Sequence, residues 1–528
     1  MKGLHNKRIP SSNQHKFSQI PKAEIQRSTF DRSHGYKTTL DASYLVPVLC
    51  DECLPGDTFN VSMTAFARMA TPIFPIMDNM HLQTHFFSVP YRLVWDNWQK
   101  FNGEQTDPGD SIDYTVPQST SPGGGYANQS LHDYMGIPTQ VASLKHNNLH
   151  LRAYNLIWNE WFRDENLQDS LKVDKDDGPD TYSDYVIQKR GKQHDYYTSA
   201  LPWPQKGDAV ELPMYGGNPP VIFDTYSGGD ISGEYPLISG DDSATPAMRH
   251  SDTFGADGTY DVLATGSKSN LSTDLSAVTA ATINDLRLAF QTQKLLERDA
   301  RGGTRYIEII KSHFGVTSPD ARLQRSEFLG SHSAPINISP IQQTSSTDAT
   351  TPQGNLAAIG TSTVHGAGFT KSFTEHCLII GLVSIRGDQT YQQGLNRMWS
   401  RQTRFDYYWP ALSHIGEQAI QVDEIYADAG NDDTVFGYQE RYAEYRYKPS
   451  QITGKFRSND AATLDAWHLA IDYGSEPSLN AAFIVDATPV DRVVAVPAEP
   501  NFIFDSYFKM NCTRPMPVYS IPGLIDHF

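Results

Sequence analysis

Between residues 29 and 95 the chain offers one candidate strand after another with almost no helix between them: TFDRSHGYKTTLDASYLVPVLCDECLPGDTFNVSMTAFARMATPIFPIMDNMHLQTHFFSVPYRLVW. Residues 59–66 alternate apolar and polar side chains for most of their length, the period of a half-buried strand. Residues 44–49 and 81–89 are the flanking candidates. The first is followed by Leu54-Pro55-Gly56-Asp57, in which Pro and Gly preset a turn. Pro72, Pro75 and Pro90 argue against long helices here, because each lacks a backbone donor and blocks the preceding turn. The stretch carries no catalytic constellation. It constrains the chain to a mainly β fold.

Short helices follow at 94–101 and 149–164. In the second, Leu151, Tyr154, Ile157, Trp158 and Trp161 form one stripe at helical spacing, the signature of a face turned to a core. The pattern predicts two more helices at 282–302 and 304–314. Thr282 and Asp285 make a variant capping box at the start of the first, and Gly302-Gly303 closes it. Strand candidates return at 335–342, 372–386, 437–447, 483–485, 492–496 and 501–512. Strands at both ends of the chain, with helices and a long insertion between them, predict one discontinuous sandwich.

The charge is divided. Residues 1–38 hold eight lysines and arginines against Glu24 and Asp31, a net +6. They show no apolar period, so they are expected to form an extended arm ordered by a partner. Lys2, Lys7, Arg8, Lys16 and Lys22 are its candidate phosphate contacts, since each lysine or arginine that meets a phosphate releases counterions. The alternative is a solvated terminus. Residues 205–281 are rich in Gly, Ser, Thr and Asp. From 227 to 280, eight acidic residues face only Arg249 and Lys268, a net −6. A protruding, solvent-facing insertion is expected there, with a linker as the alternative. The remaining segments, 39–204 and 282–528, would build the sandwich. The whole chain of 528 residues carries −18, which argues against a protein that coats nucleic acid over its entire surface.

No apolar run reaches the ~18 residues a membrane span requires, and the N-terminus lacks the apolar region of a secretory signal. Four cysteines in 528 residues are too sparse for a disulfide framework; a reduced, cytoplasmic setting is expected. Cys50-Asp51-Glu52-Cys53 is a lone CxxC without the partners zinc requires. His81 and His85 share a strand face, and His376 precedes Cys377; packed histidines are the simpler reading. Asp174–Asp180 resembles a calcium loop in composition but not in spacing. His365-Gly366-Ala367-Gly368-Phe369 fails as a phosphate loop and reads as a flexible turn ahead of a strand at Ser372. No nucleophile elbow is present. No metal, cofactor or catalytic residue is assigned, so an enzyme is not expected.

Residues 438–448, YQERYAEYRYK, interleave rings and cations. As a strand, Tyr438, Glu440, Tyr442, Glu444, Arg446 and Lys448 would share one face, with Arg441 on the other. Arg441, Arg446 and Lys448 are candidates for single-strand contact through stacking and charge. The competing reading is a strand whose tyrosines pack between subunits.

Four segments give a more specific signal: 30–80, 92–104 (RLVWDNWQKFNGE), 300–330 (ARGGTRYIEIIKSHFGVTSPDARLQRSEFLG) and 398–420 (MWSRQTRFDYYWPALSHIGEQAI). Together they resemble the major capsid protein of gokushovirus-type microviruses, small icosahedral single-stranded DNA bacteriophages. The resemblance implies an eight-stranded viral jelly roll, an antiparallel β-sandwich with long loop insertions and a few short helices. It implies a T=1 shell in the virion, assembled in the bacterial cytoplasm, with pentamers as intermediates. It also implies an insertion gathered into a threefold protrusion that meets a host surface receptor. The implied partners are further copies of the chain, a circular single-stranded DNA genome, a small basic DNA-binding protein, a DNA pilot protein and a scaffolding protein. A carbohydrate-binding or carbohydrate-active β-sandwich is the alternative, although no facing carboxylate pair of the glycosidase kind stands out.

Overall fold

A computed structural model describes residues 26–208, 210, 221–223, 271–273, 283–302, 306–314, 324–347, 352–428 and 434–519. The chain divides into two units, 1–204 with 318–528, and 205–317.

The larger unit holds β1 (Ser28–Asp31), β2 (His34–Leu40), β3 (Val46–Cys53), β4 (Thr58–Met69) and β5 (Met80–Pro90). A small ladder, β6 (Gln118–Thr120) with β7 (Lys145–Asn147), follows. In the smaller unit β8 (Val221–Phe223) pairs with β9 (Leu271–Thr273). The larger unit resumes with β10 (Glu327–Pro335), β11 (Asn337–Gln342), β12 (Leu356–Ser372) and β13 (Cys377–Gly387). It ends with β14 (Glu417–Gln421), β15 (Val435–Glu440) and β16 (Phe502–Arg514).

Two antiparallel sheets form the sandwich. One runs β2-β16-β4-β12, extended by β1 along β16 and by β11 beyond β12; the other runs β3-β13-β5-β10. The chain crosses between sheets at nearly every step: β2, β4, β12 and β16 lie in the first, while β3, β5, β10 and β13 lie in the second. That order is a jelly roll.

Alternation explains the first sheet. In β4, Phe59, Val61, Met63, Ala65, Ala67 and Met69 are buried while the residues between them face outward. β16 repeats the pattern with Phe502, Phe504, Phe508, Met510 and Cys512 inside. β13 differs, being buried on both faces. Ile379, Val383 and Ile385 enter the sandwich core. Leu378, Ile380 and Leu382 pack the other way, against the helix Leu149–Ile157. That helix presents Leu151, Tyr154, Ile157 and Trp158 as expected, all buried. A π turn over Trp158–Phe162 then changes the helical repeat, and Trp161 is 37% exposed, packing on Phe87 and Phe328 instead.

Several expectations are corrected. Residues 365–369 are not a flexible turn: β12 runs through them, with a bulge between Val364 and Ala367. Gly366 takes φ +73° there, a conformation glycine adopts without a steric penalty. Gly368 sits where a Cβ would collide with the carbonyl oxygen of Val61. Gly368→Ala is therefore expected to destabilise the unit by about 1–3 kcal/mol, read as a lower urea midpoint with an unchanged slope.

The 437–447 strand stops at Glu440, because Tyr442 adopts a left-handed φ of 62° and a 3-10 turn follows at Ala443–Tyr445. Residues 481–484 are a short helix, since the Asn480 side chain accepts a hydrogen bond from the Phe483 amide at 2.9 Å. The 492–496 strand is not formed: Arg492 ends a 3-10 turn, Val490–Arg492, and Val494 makes only an isolated bridge to Pro72. The 94–101 helix is two pieces, Tyr91–Val94 and Trp98–Phe101. The 335–342 strand is split, with Pro335 ending β10 and Asn337 opening β11. Finally, residues 28–31 and 34–38 of the expected arm are paired along β16.

The smaller unit includes the expected helices, Ile283–Gly302 and Tyr306–Phe314. His313 Nε2 meets Asp299 Oδ1 at 2.6 Å between them. Thr282, Gly303 and Thr304 lie outside the described residues, as does nearly all of 227–280.

A buried and a half-buried histidine set an acid limit on the larger unit. His132 is 3% exposed and stacks on Tyr126 with ring centres 3.8 Å apart. Burial, helped by neighbouring His146, pushes its pKa down to about 4. His85 is also pushed down to about 4, by burial and then by Arg190 and Arg386. Both are neutral when folded at pH 7, and both titrate near their ordinary value once unfolded. The unfolded chain then binds more protons between about pH 6.5 and 4, so stability is untouched above that window and falls through it. The expected loss is on the order of 3 kcal/mol for His132. Urea titrations across pH 4–7 check this, and His132→Gln flattens the dependence.

Candidate assembly surface

The most distinctive surface is built by residues 397–412, three 3-10 turns in succession: Arg397–Trp399, Arg404–Asp406 and Pro410–Leu412. Each start is fixed locally. Asn396 Oδ1 accepts from the Met398 amide at 3.1 Å. Asp406 Oδ2 accepts from the amides of Thr403 at 2.6 Å and Gln402 at 3.0 Å. Those donors hold the Asp406 carboxyl below the usual carboxylate range. Pro410 opens the third turn, its φ already suited to a helical start.

This backbone displays residues 402–411 entirely on the surface. Trp399 is 72% exposed and Phe405 65%, and Tyr407, Tyr408 and Trp409 are exposed as well. Tyr407, Tyr408 and Trp409 are held in place despite their exposure. Arg404 lies over Trp409 at 4.6 Å, whose Nε1 donates to the Arg404 carbonyl at 3.0 Å. Arg401 is flanked by Tyr445 at 4.3 Å and Tyr407 at 5.4 Å, and pairs with half-buried Glu444 at 3.2 Å. Tyr408 packs edge-on against Tyr442 at 5.2 Å. Beneath, Arg397 Nη1 donates to Glu424 Oε1 at 2.9 Å. Burial pushes the Glu424 carboxyl above its ordinary value, with Arg397 opposing. The result is a rigid ridge of Trp, Tyr, Phe and Arg, the residue types that dominate protein–protein contact energy. Large exposed rings gathered in one segment mark a contact site.

Three of the sequence-predicted cations belong to this neighbourhood. Arg441 is half-buried with its guanidinium 4.9 Å from the centre of the Tyr442 ring. Arg446 forms an ion pair with Glu440, and Lys448 is exposed. They do not share a strand face, because β15 ends before Arg441. Lys2, Lys7, Arg8, Lys16 and Lys22 lie outside the described residues.

The other candidates have structural roles. The carboxylates of 174–180 each answer a protein group. Asp180 receives Arg152 Nε at 2.7 Å and Tyr185 Oη at 2.7 Å. Asp177 accepts from Trp95 Nε1 at 2.7 Å, and Asp174 pairs with Lys172 at 2.8 Å. Cys53 lies opposite Cys377 across β3 and β13. Burial raises Cys53, Cys377 and Cys50 thiols well above the ordinary range, Cys377 and Cys50 to about 12, so they are inert hydrophobes. Among the described residues no group of histidines, cysteines and carboxylates could hold a metal ion, and no helix is long and apolar enough to cross a membrane. Sequence reasoning missed Arg397, Arg401 and Arg404 as site residues. The signal was present in WSRQTRFDYYW, two cations among five rings.

Comparison with known proteins agrees with a structural role. Residues 18–524 match the family model described as "Capsid protein (F protein)". "Capsid protein VP1" of Bdellovibrio phage phiMH2K is 49% identical, over 98% of this chain and 99% of that protein. "Capsid protein VP1" of Chlamydia phage 1 is 45% identical over 98% and 99%. "Capsid protein VP1" of Spiroplasma virus 4 is 37% identical over 97% of each. A jelly roll with a pinned aromatic ridge, matched along nearly its whole length by gokushovirus capsid proteins, belongs to the F-type capsid protein family and is a structural protein of the virion.

Proposed function

We propose that this capsid protein closes a T=1 icosahedral shell around a circular single-stranded DNA genome, and that the 397–412 ridge is one of its contacts between subunits. The observation that carries the reading is the ridge itself: exposed rings, several of them stacked against guanidinium groups, on turns with capped starts. Side chains already ordered lose little entropy when a partner covers them. Contacts of this kind in a shell are heterologous, joining different patches of neighbouring copies, and must close under symmetry.

The basic N-terminal residues Lys2, Lys7, Arg8, Lys16 and Lys22 are assigned to the genome, as their charge and the counterion release on phosphate binding support. A net +5 over residues 1–27 leaves most of the genome's charge to a small basic DNA-binding protein. A scaffolding protein guides assembly through pentamers, and a DNA pilot protein accompanies the genome. The acidic segment 205–281 forms the surface protrusion that meets the host receptor. Catalysis has no part in this account.

Deleting residues 227–280 is expected to leave shell assembly intact while lowering adsorption to host cells at least tenfold. Electron microscopy and an adsorption assay read the two outcomes separately. Loss of shells on that deletion contradicts the assignment of the segment to the protrusion.

A further inference from the structure

The ridge has a counterpart on the same chain. Residues 101–109 and 111–113 are all exposed. The stretch 101–113 contains Glu104, Asp107, Asp110 and Asp113 and not one lysine or arginine. Asp110 is spent on the local amides of Thr106 at 3.2 Å and Asp107 at 3.1 Å. Among the described residues no ion pair reaches Glu104, Asp107 or Asp113. Phe101 and Ile112 add exposed apolar surface, 38% and 50%.

The ridge and the neighbouring segment 441–457 have the opposite balance. Residues 397–409 hold three arginines and one acid; residues 441–457 hold five cations and one acid. Arg404, Arg441 and Lys448 are left without a carboxylate partner among the described ion pairs.

We propose that the ridge of one copy docks onto the acidic loop 101–113 of a second copy, so that Arg404 and Lys448 face Asp107 and Asp113 while the ridge's rings cover Phe101 and Ile112. This rests on the shell reading and names the mate of the ridge. Charge complementarity selects the occupant: the cations are few, their rings apolar, and Glu104, Asp107 and Asp113 without an ion pair among the described residues. Single-stranded DNA fits less well. Base stacking needs free ring faces, and Arg401 and Arg404 already cover faces of Tyr445 and Trp409. Arg397, Arg401 and Arg446 are neutralised by carboxylates of the same chain.

The test is a charge swap in the full chain, scored by particle yield in electron microscopy. R404E/K448E alone and D107K/D113K alone are each expected to reduce the assembled fraction at least tenfold, and the four substitutions together to restore it. Shells unaffected by either pair, or loss that the combination does not repair, overturn the proposal. So does a ridge variant that forms shells normally but loses nuclease-protected DNA. A second measurement is independent of how the variants fold. Zero-length carboxyl–amine coupling of wild-type particles is expected to join Lys448 to Glu104, Asp107 or Asp113 between copies, mapped by peptide mass spectrometry. Particles in which other intersubunit links form but this one does not contradict the docking while leaving the shell reading intact. Failure of the wild-type chain to form particles at all counts against the shell reading itself.

Discussion

Arg152→Met is expected to cost the larger unit about 3–5 kcal/mol, among the largest single effects available in this chain. The guanidinium is fully buried and Asp180 is 1% exposed. Arg152 Nη2 donates to Asp180 Oδ1 at 2.5 Å, and Nη1 reaches the carbonyls of Val94 at 3.0 Å and Asp176 at 2.9 Å. One side chain thus ties the helix Leu149–Ile157 to the segment before Asn97 and to the 172–185 loop. Burial drives the Asp180 carboxyl upward, but hydrogen bonds from Arg152, Tyr185 and Asn148 outweigh it and hold the group below its ordinary value. Removing the cation leaves a buried carboxylate with only neutral donors. Urea unfolding reads the loss directly. Arg152→Met combined with Asp180→Leu is expected to recover most of it, because exchanging a buried pair for apolar groups of similar size is often nearly neutral.

The second large effect concerns association. Phe405→Ala, Tyr408→Ala and Trp409→Ala are each expected to weaken subunit contact by about 2 kcal/mol or more, roughly 30-fold in affinity, as central aromatic anchors do. Phe405 is 65% exposed in the single chain and Tyr408 is half-exposed, so their removal opens no large core cavity and leaves the unfolding midpoint close to wild type. The contrast with Arg152→Met is diagnostic. One variant unfolds earlier; the others stay folded and require a higher concentration to assemble. Light scattering against protein concentration, beside urea unfolding of the same samples, separates the two.

The elements legible in the sequence are those where one face is dry and the other wet. β4 and β16 keep strict alternation, and both are found close to where the pattern places them. β12 was invisible because its signal is inverted. Glycines that look like a turn are there to let β4 approach and to form the bulge at Val364–Ala367. The short helix at Ala481–Ile484 owes its existence to an Asn480 cap, a local bond that outweighs the strand preference of Phe-Ile-Val. Strand order was not legible from pattern at all. Alternation says which residues point inward, not which strands meet, so the jelly-roll crossing came only with the family resemblance.

For the contact surface the division runs elsewhere. The rings and cations of 438–448 were legible as interaction chemistry, but their geometry was not. A single left-handed residue, Tyr442, converts an expected strand into a turn and redirects the side chains that follow. Arg401 and Tyr445 lie 44 residues apart in sequence and 4.3 Å apart in space. No local pattern announces such a pairing.

The central claim is that this polypeptide's exposed surfaces are finished by copies of itself. Electron microscopy of the purified protein tests that most directly. Closed icosahedral particles, with the 397–412 ridge covered at a boundary between subunits, are the expected result. A population of folded, well-dispersed single chains at every concentration contradicts it.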